Sequence, residues 1–216
     1  MILRFFILLF LSASSLSAYT IKTLSEMPRI YLIENFLSDE DCDHIIKKAK
    51  PSLKRSKVLS HDGSRVVSPR RTSCGMWFPA LPKDKLLKEI EKRIEELTEI
   101  PRENGEAFQV LHYQVRGEFK PHHDYFTTNS TWNRYSGRGG QRIATCIIYL
   151  HDTPEGGATI FPRAGVEVKP IKGQVLMFYN CLPNGMEDPL SFHGGAPVIK
   201  GEKWIMTKWL HERKFN

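Results

Sequence analysis

The second half of the chain constrains the fold most. From residue 107 onward, short apolar runs alternate with turn signals: "FQVLHYQV", "RIATCIIYL", "ATIFP", "GVEVKP", "QVLMFY", "APVIK" and "KWIMTKWL". Between them stand Arg116-Gly117, Gly139-Gly140, Gly156-Gly157, Lys172-Gly173 and Lys200-Gly201. Many short strands divided by Gly and Pro turns make a sandwich, a barrel or a jelly roll. Before residue 105 the pattern is mostly helical. Ser38-x-x-Asp41 has the form of a capping box, and Cys42, Ile45, Ile46 and Ala49 follow at helical spacing until Pro51. A second helix is expected over about 83–98, with a stripe of Leu86, Leu87, Ile90, Ile94 and Leu97, ended by Pro101. The stretch between, "VLSHDGSRVVSPRRTSCGMWF", is a loop or a hairpin turning at Asp62-Gly63. The class is therefore α+β, with two N-terminal helices packed on one outer face of the sheet. At 216 residues and 41% hydrophobic content, one domain with its own core is expected.

The first residues stand apart. "MILRFFILLFLSASSLSA" has one positive charge at Arg4, an apolar run from Phe5 to Leu11, and then small residues. Residues 1–17 read as a cleavable secretory signal, because the apolar core is short against the about 20 residues of a bilayer span. The alternative is a retained N-terminal membrane anchor. The signal reading places the protein in the secretory pathway, in the ER lumen or outside the cytoplasm, and the anchor reading places it on a membrane through its N-terminus. Cys42, Cys74, Cys146 and Cys181 include no C-x-x-C pair, so a zinc ribbon is not expected, while their pairing stays open. Cys146 lies in an apolar strand run and is expected to be a buried free thiol. The net charge of +7 suits an acidic partner or a membrane surface. With no long Lys/Arg block, no nucleic-acid partner is expected.

A possible metal site lies in "FKPHHDYF". On a strand, residues i and i+2 face the same side. His122 and Asp124 then point together, and His123 points away. One imidazole and one carboxylate need a further ligand to cap a face of a metal ion. His193, after a loop and before another strand, is the best candidate. Two histidines and a carboxylate form the facial triad of non-haem Fe(II) oxygenases, whose open face admits a cosubstrate and O2. H-x-D alone is a weak signal, and the chain holds eight histidines. Lys203 strengthens the reading. In "KWIMTKW", Lys203, Ile205, Thr207 and Trp209 share one face by parity, with Trp204, Met206, Lys208 and Leu210 on the other. A lysine on an inward apolar face needs an anion, and an organic carboxylate such as that of 2-oxoglutarate serves. A zinc hydrolase also uses mixed His/Asp ligands but gives no reason for Lys203.

The segments "GEAFQVLHYQVRGEFKPHHDYF", "GGQRIATCIIYL", "GGATIFP" and "SFHGGAPVIKGEKWIMTKWLHER" closely resemble the prolyl 4-hydroxylases, and "NFLSDEDCDHIIKKAK" and "RRTSCGMWF" are similar to the region before that family's core. The likeness covers about residues 30–212. It implies a double-stranded β-helix, or jelly roll, over residues 106–212, with residues 28–105 as a helical and loop support region. It implies a dioxygenase using Fe(II), 2-oxoglutarate and O2, with ascorbate as reductant, that converts a peptidyl proline to 4-hydroxyproline, succinate and CO2. By this resemblance His122, Asp124 and His193 are iron ligands and Lys203 pairs with the far carboxylate of 2-oxoglutarate. Tyr113 and Thr159 are further cosubstrate contacts, and Glu106, Arg142, Trp209 and His211 line the groove for a proline-containing peptide. Phe119 departs from the family, which usually has tyrosine there, so a hydroxyl near the target proline is lost. Ala196 stands where relatives often have cysteine, so a disulfide found in them is expected to be absent. The short link at 162–168 resembles animal and microbial members more than plant ones. The same chemistry on another residue such as lysine, and a non-catalytic binding module, are the alternative readings.

Overall fold

The computed structural model describes residues 19–59, 64–126 and 136–215. The leader and the Asp62-Gly63 turn lie outside these residues. An N-terminal hairpin, β1 (Thr20–Glu26) and β2 (Arg29–Glu34), is followed by helix α1 (Asp39–Ala49). Short strands β3 (Lys54–Arg55), β4 (Val58–Leu59), β5 (Arg65–Val66) and β6 (Cys74–Trp77) lead to helix α2 (Lys85–Thr98). Next come β7 (Gln109–Tyr113), β8 (Phe119–His122), β9 (Arg142–Tyr149), β10 (Glu155–Gly156), β11 (Thr159–Phe161) and β12 (Val166–Val168). The last strands are β13 (Val175–Tyr179), β14 (His193–Gly195), β15 (Val198–Lys200) and β16 (Lys203–His211). They build a large sheet in the order β1-β2-β13-β9-β16-β7-β6-β3 and a small one in the order β12-β11-β14-β8. β10 and β15 pair apart, as do β4 and β5.

The large sheet is covered on both faces, which explains its sequence. Val110, Cys146, Ile148, Val175, Met177, Trp204 and Met206 share one core cluster with Ile45 and Ala49 of α1 and Leu87, Ile90 and Ile94 of α2. The opposite parity forms a second cluster: Leu111, Tyr113, Ile147, Tyr149, Leu176, Phe178 and Ile205 with Phe161 and Val168 of the small sheet. Two antiparallel sheets facing each other give the jelly roll, and both faces of its central strands must be apolar. This is why β9 and β13 read as unbroken apolar runs.

Both helices start on side-chain caps. Ser38 Oγ accepts from Asp41 N at 3.1 Å, while Asp41 Oδ2 accepts from Ser38 N at 3.3 Å, completing the capping box. α2 begins at Lys85 rather than near 83, because Asp84 caps it by accepting from the amides of Leu86 and Leu87. The same carboxylate receives Lys48 and His44 of α1, tying the two helices together.

The expectation of a mostly helical first half needs correction. β2 pairs with β13, and β6 pairs with β7, so the N-terminal residues extend the large sheet. In β2, Ile30 and Leu32 face one way and Tyr31 and Ile33 the other, and this double-sided burial hides the strand period. In β6 a Cβ at Gly75 would stand 2.8 Å from both Leu111 Cδ2 and the Val110 carbonyl, so glycine permits the close approach of β7. The "VLSHDGSRVV" stretch contains a hairpin of β4 and β5. All four cysteines are free, Cys42, Cys146 and Cys181 being buried. Burial pushes the Cys146 thiol up to about 12.

Candidate metal centre and the cleft above it

His122 ends β8 and is paired across the small sheet with His193, which opens β14. Asp124 follows just beyond the end of β8, in a bend, so strand parity still holds one step past the strand. His122 Nε2 lies 3.4 Å from Asp124 Oδ1, and His193 Nε2 lies 3.6 Å from Asp124 Oδ2. One donor atom from each of the three residues falls within 4.8 Å of the others. The ring orientations are fixed from behind. His122 Nδ1 contacts the Lys120 carbonyl at 3.0 Å, and His193 Nδ1 contacts the Ser191 carbonyl at 2.8 Å. A carbonyl only accepts, so each Nδ1 carries the proton and each Nε2 presents its lone pair to the centre.

The electrostatics suit ligation. Burial pushes the His193 pKa down to about 4, so the ring is neutral near pH 7. Burial alone would raise the Asp124 pKa, but His193 and His122 beside it hold the carboxyl below the usual range. Thr145 Oγ1 donates to Asp124 Oδ2 at 2.8 Å, and Asn180 Nδ2 donates to Thr145 Oγ1 at 2.9 Å. Phe119 stacks on the His122 ring at 3.7 Å, and Phe178 flanks His193 at 4.5 Å. Two imidazoles and one carboxylate, with no thiolate, fit a divalent iron with open positions. His123 is not part of this cluster. It contacts the Pro189 carbonyl and stacks on Tyr125.

Lys203 opens β16, opposite Tyr113 on β7, and is 3% exposed. Among the described residues no hydrogen-bond acceptor or carboxylate meets its Nζ, and the ring of Tyr149 lies 5.8 Å away. Burial pushes its pKa down to about 7. The same cavity is lined by His122, Asp124, His193, Tyr113 and Thr159. Tyr149 donates its hydroxyl to Thr159 Oγ1 at 2.9 Å. Ile205, Thr207 and Trp209 line it too, as parity requires, while Trp204, Met206 and Leu210 join the helix-side core. Lys208, also on that side, is buried against Glu91 of α2 at 2.7 Å. A desolvated ammonium without an anion fits a cosubstrate that brings a carboxylate.

Above the centre runs a cleft of about 930 Å³. Glu106, Phe119, Arg142 and Trp209 line it. Arg142 Nε meets Glu106 Oε1 at 2.6 Å, and the guanidinium lies 4.4 Å from the Trp209 ring. Burial alone would raise the Glu106 pKa, but Arg142 and His211 hold it down to about 2. His211, expected along the groove, is instead fully buried behind Glu106. Its Nε2 is 3.0 Å from Glu106 Oε1 and its Nδ1 is 3.0 Å from the Gly140 carbonyl. It reaches the cleft through that carboxylate and through the ring of Phe215, 4.6 Å away.

Several supporting residues were missed from the sequence. Thr145 and Asn180 hold Asp124, Tyr149 holds Thr159, and Trp77 lies 5.7 Å from Trp209. A signal existed for two of them. Thr145 and Tyr149 share the inward parity of Ile147 in β9, where a polar group needs a partner.

Three comparisons bear on this site. Residues 108–211 match the family model of the 2OG-Fe(II) oxygenase superfamily. The probable prolyl 4-hydroxylase 8 of Arabidopsis thaliana is 42% identical over 217 residues, covering 91% of this chain and 73% of the relative. Prolyl 4-hydroxylase 5 of the same plant is 41% identical over 215 residues, covering 90% and 72%. The likeness to plant proteins is thus extensive despite the short 162–168 link, which the structure shows as the β11–β12 hairpin. Among solved structures, the viral collagen prolyl hydroxylase of Paramecium Bursaria Chlorella virus-1, in its 2OG complex, superposes with a TM-score of 0.66. It shares 28% identity over 83% of this chain and 94% of that one.

Proposed function

We propose residue roles from one premise: the chain belongs to the prolyl 4-hydroxylases, within the 2OG-Fe(II) oxygenase superfamily. It is a dioxygenase that hydroxylates peptidyl proline with Fe(II), 2-oxoglutarate and O2. His122, Asp124 and His193 hold the iron. When bound, the iron with 2-oxoglutarate and O2 supplies the oxidising power, and the reaction yields 4-hydroxyproline, succinate and CO2. The rest is work for this chain's own side chains. Lys203 receives the far carboxylate of 2-oxoglutarate, with Tyr113 and Thr159 beside it. Thr145 orients Asp124 and favours its ionised form. The peptide crosses the cleft over Phe119 and Trp209, with Glu106 and Arg142 locked together at its wall and His211 bracing Glu106 from behind. Aiming one C–H bond at the centre is a positioning task, for which rigid aromatic and ion-paired walls are suited.

The observation that carries this assignment is a buried lysine with no anion among the described residues, in the same cavity as a His-Asp-His cluster whose Nε2 atoms face inward. The test uses protein with Fe(II), ascorbate, 2-oxoglutarate and a proline-rich peptide, read by mass spectrometry. One added oxygen per modified proline is expected, and loss of activity in His122→Ala, Asp124→Ala and His193→Ala. Full activity in Asp124→Ala would remove it from the ligand set. Ascorbate is assigned the role of keeping the iron ferrous. Omitting it should shorten the course of turnover without changing its first rounds. Residues 1–17 are assigned as the secretory signal, which N-terminal sequencing of the mature protein tests.

A further inference from the structure

We propose that the target proline is flanked by acidic residues, and that Lys54, Arg55, Lys57, Arg65 and Arg70 recognise them. The inference rests on the hydroxylase reading and extends it to a substrate class. Among the described residues lining the cleft, eight are lysine or arginine and two are carboxylates. Both carboxylates are already engaged, Asp124 with the two histidines and Glu106 with Arg142 and His211. The five basic residues named are not. All are exposed, and none forms an ion pair among the described residues. Exposed lysines elsewhere, such as Lys22, Lys48 and Lys120, do meet carboxylates.

The basic bank is placed rather than scattered. Lys54 and Arg55 form β3, the edge of the large sheet, and Lys57 follows. Arg55 donates to the Ser73 carbonyl at 3.3 Å and Arg70 to the Pro121 carbonyl at 3.0 Å. These bonds aim the guanidinium groups without neutralising them. Pro121 immediately precedes His122, so Arg70 sits beside the metal centre. Arg65 lies 5.4 Å from the Trp77 ring, and Trp77 in turn adjoins Trp209 in the cleft. The bank is thus continuous with the wall along which the peptide runs. Like charges lining one cleft create a potential of several kT that attracts an anionic ligand. Aspartate and glutamate are the anions a peptide carries without modification, and arginine can bind each through two hydrogen bonds.

The experiment uses labelled peptides with one proline core and flanks of Glu, Gln, Lys or phosphoserine. Binding to the full chain with Fe(II) and 2-oxoglutarate is read anaerobically by fluorescence anisotropy, and turnover by mass spectrometry. The Glu peptide should bind roughly tenfold tighter than the Gln peptide at low salt, and the Lys peptide weakest, with the gap closing toward about 0.5 M salt. In turnover the advantage should appear in KM more than in kcat. The Lys54→Glu/Lys57→Glu protein should prefer the Lys peptide, with its thermal melt confirming an intact fold. Equal binding of the Glu and Gln peptides overturns the proposal, whatever the turnover. A Glu preference without hydroxylation of any peptide supports this anion site and counts against the hydroxylase reading instead. Gain from phosphoserine alone assigns the bank to phosphate and overturns the carboxylate assignment. Displacement of the Glu peptide by a short single-stranded oligonucleotide at lower concentration overturns the peptide assignment.

Discussion

Lys203 is an ammonium group held away from water, with no anion beside it among the described residues, and its chemistry sets a pH dependence. Its folded-state pKa is pushed down to about 7 from an ordinary 10.5. Between those values the unfolded chain keeps a proton that the folded chain has released. This group's contribution to stability therefore rises with pH across that window. A dicarboxylate reverses the balance, because it favours the charged lysine. The dissociation constant for 2-oxoglutarate should rise above about pH 7, approaching tenfold per unit. A flat profile from about pH 6 to 9, measured by calorimetry, would separate Lys203 from the cosubstrate. Lys203→Met should raise the Tm without 2-oxoglutarate and abolish the further rise on adding it. Thr145 tests the other side of the site. Thr145→Val removes the hydrogen bond to Asp124 Oδ2 but keeps the shape. Fe(II) affinity should fall by about 10–100-fold, and stability by about 1–3 kcal/mol, because the buried Asn180 Nδ2 also loses its acceptor. Unchanged affinity would reduce Thr145 to a packing residue. Phe119 carries a third prediction. Its ring already stacks on His122, so Phe119→Tyr adds a hydroxyl at the cleft without new bulk in the core. One hydrogen bond of about 0.5–1.5 kcal/mol should lower the peptide KM by up to roughly tenfold. A KM unchanged across proline peptides would show that the hydroxyl has no partner there.

At the scale of elements, α2 is bound to the sheet by apolar burial and by one enclosed ion pair. Lys208 is 2% exposed on β16, and its only carboxylate partner among the described residues is Glu91 on α2. Glu91→Leu leaves that ammonium unpaired and should cost about 3–5 kcal/mol in urea unfolding. The Glu91→Leu/Lys208→Met double variant should recover most of the loss. If it stays as unstable as the single variant, packing rather than charge explains the effect. This pair also shows where the sequence stops being legible. Parity put Lys208 opposite Lys203, but nothing local names Glu91, which lies far back in the chain. The iron-binding candidates were legible because strand parity relates His122 to Asp124 within three residues. The helices were legible through the Ser38 capping box and the Ile90–Ile94 stripe. β2 and β6 were not, because both faces of the large sheet are covered and Gly75 leaves no alternating side chain to read. His211 was misplaced for a related reason. Strand position gives a side of the sheet, not whether Glu106 stands between the ring and solvent.

Across the whole molecule, the two halves of the chain share one sheet and one core. Residue 105 marks a change of pattern in the sequence, yet β2 lies beside β13 and β6 beside β7. The apolar face formed by Val110, Cys146, Ile148, Val175, Met177, Trp204 and Met206 is covered by α1 and α2. A fragment of residues 106–212 would keep every candidate iron ligand and Lys203 but expose that face, and it would leave the β7 and β13 edges unpaired. Exposed apolar surface with open strand edges favours association over folding. The fragment should therefore lack a cooperative thermal transition and aggregate, and Fe(II) with 2-oxoglutarate should not rescue it. Ligand stabilisation at a hundredfold excess over Kd is only about 2.7 kcal/mol. That is roughly the burial value of one or two large apolar side chains, against the seven that the helices cover here. A sigmoidal melt and native-like circular dichroism from the fragment alone would show that the jelly roll is self-sufficient. In that case the first half would serve the cleft, through Arg65, Arg70 and Trp77, rather than the fold.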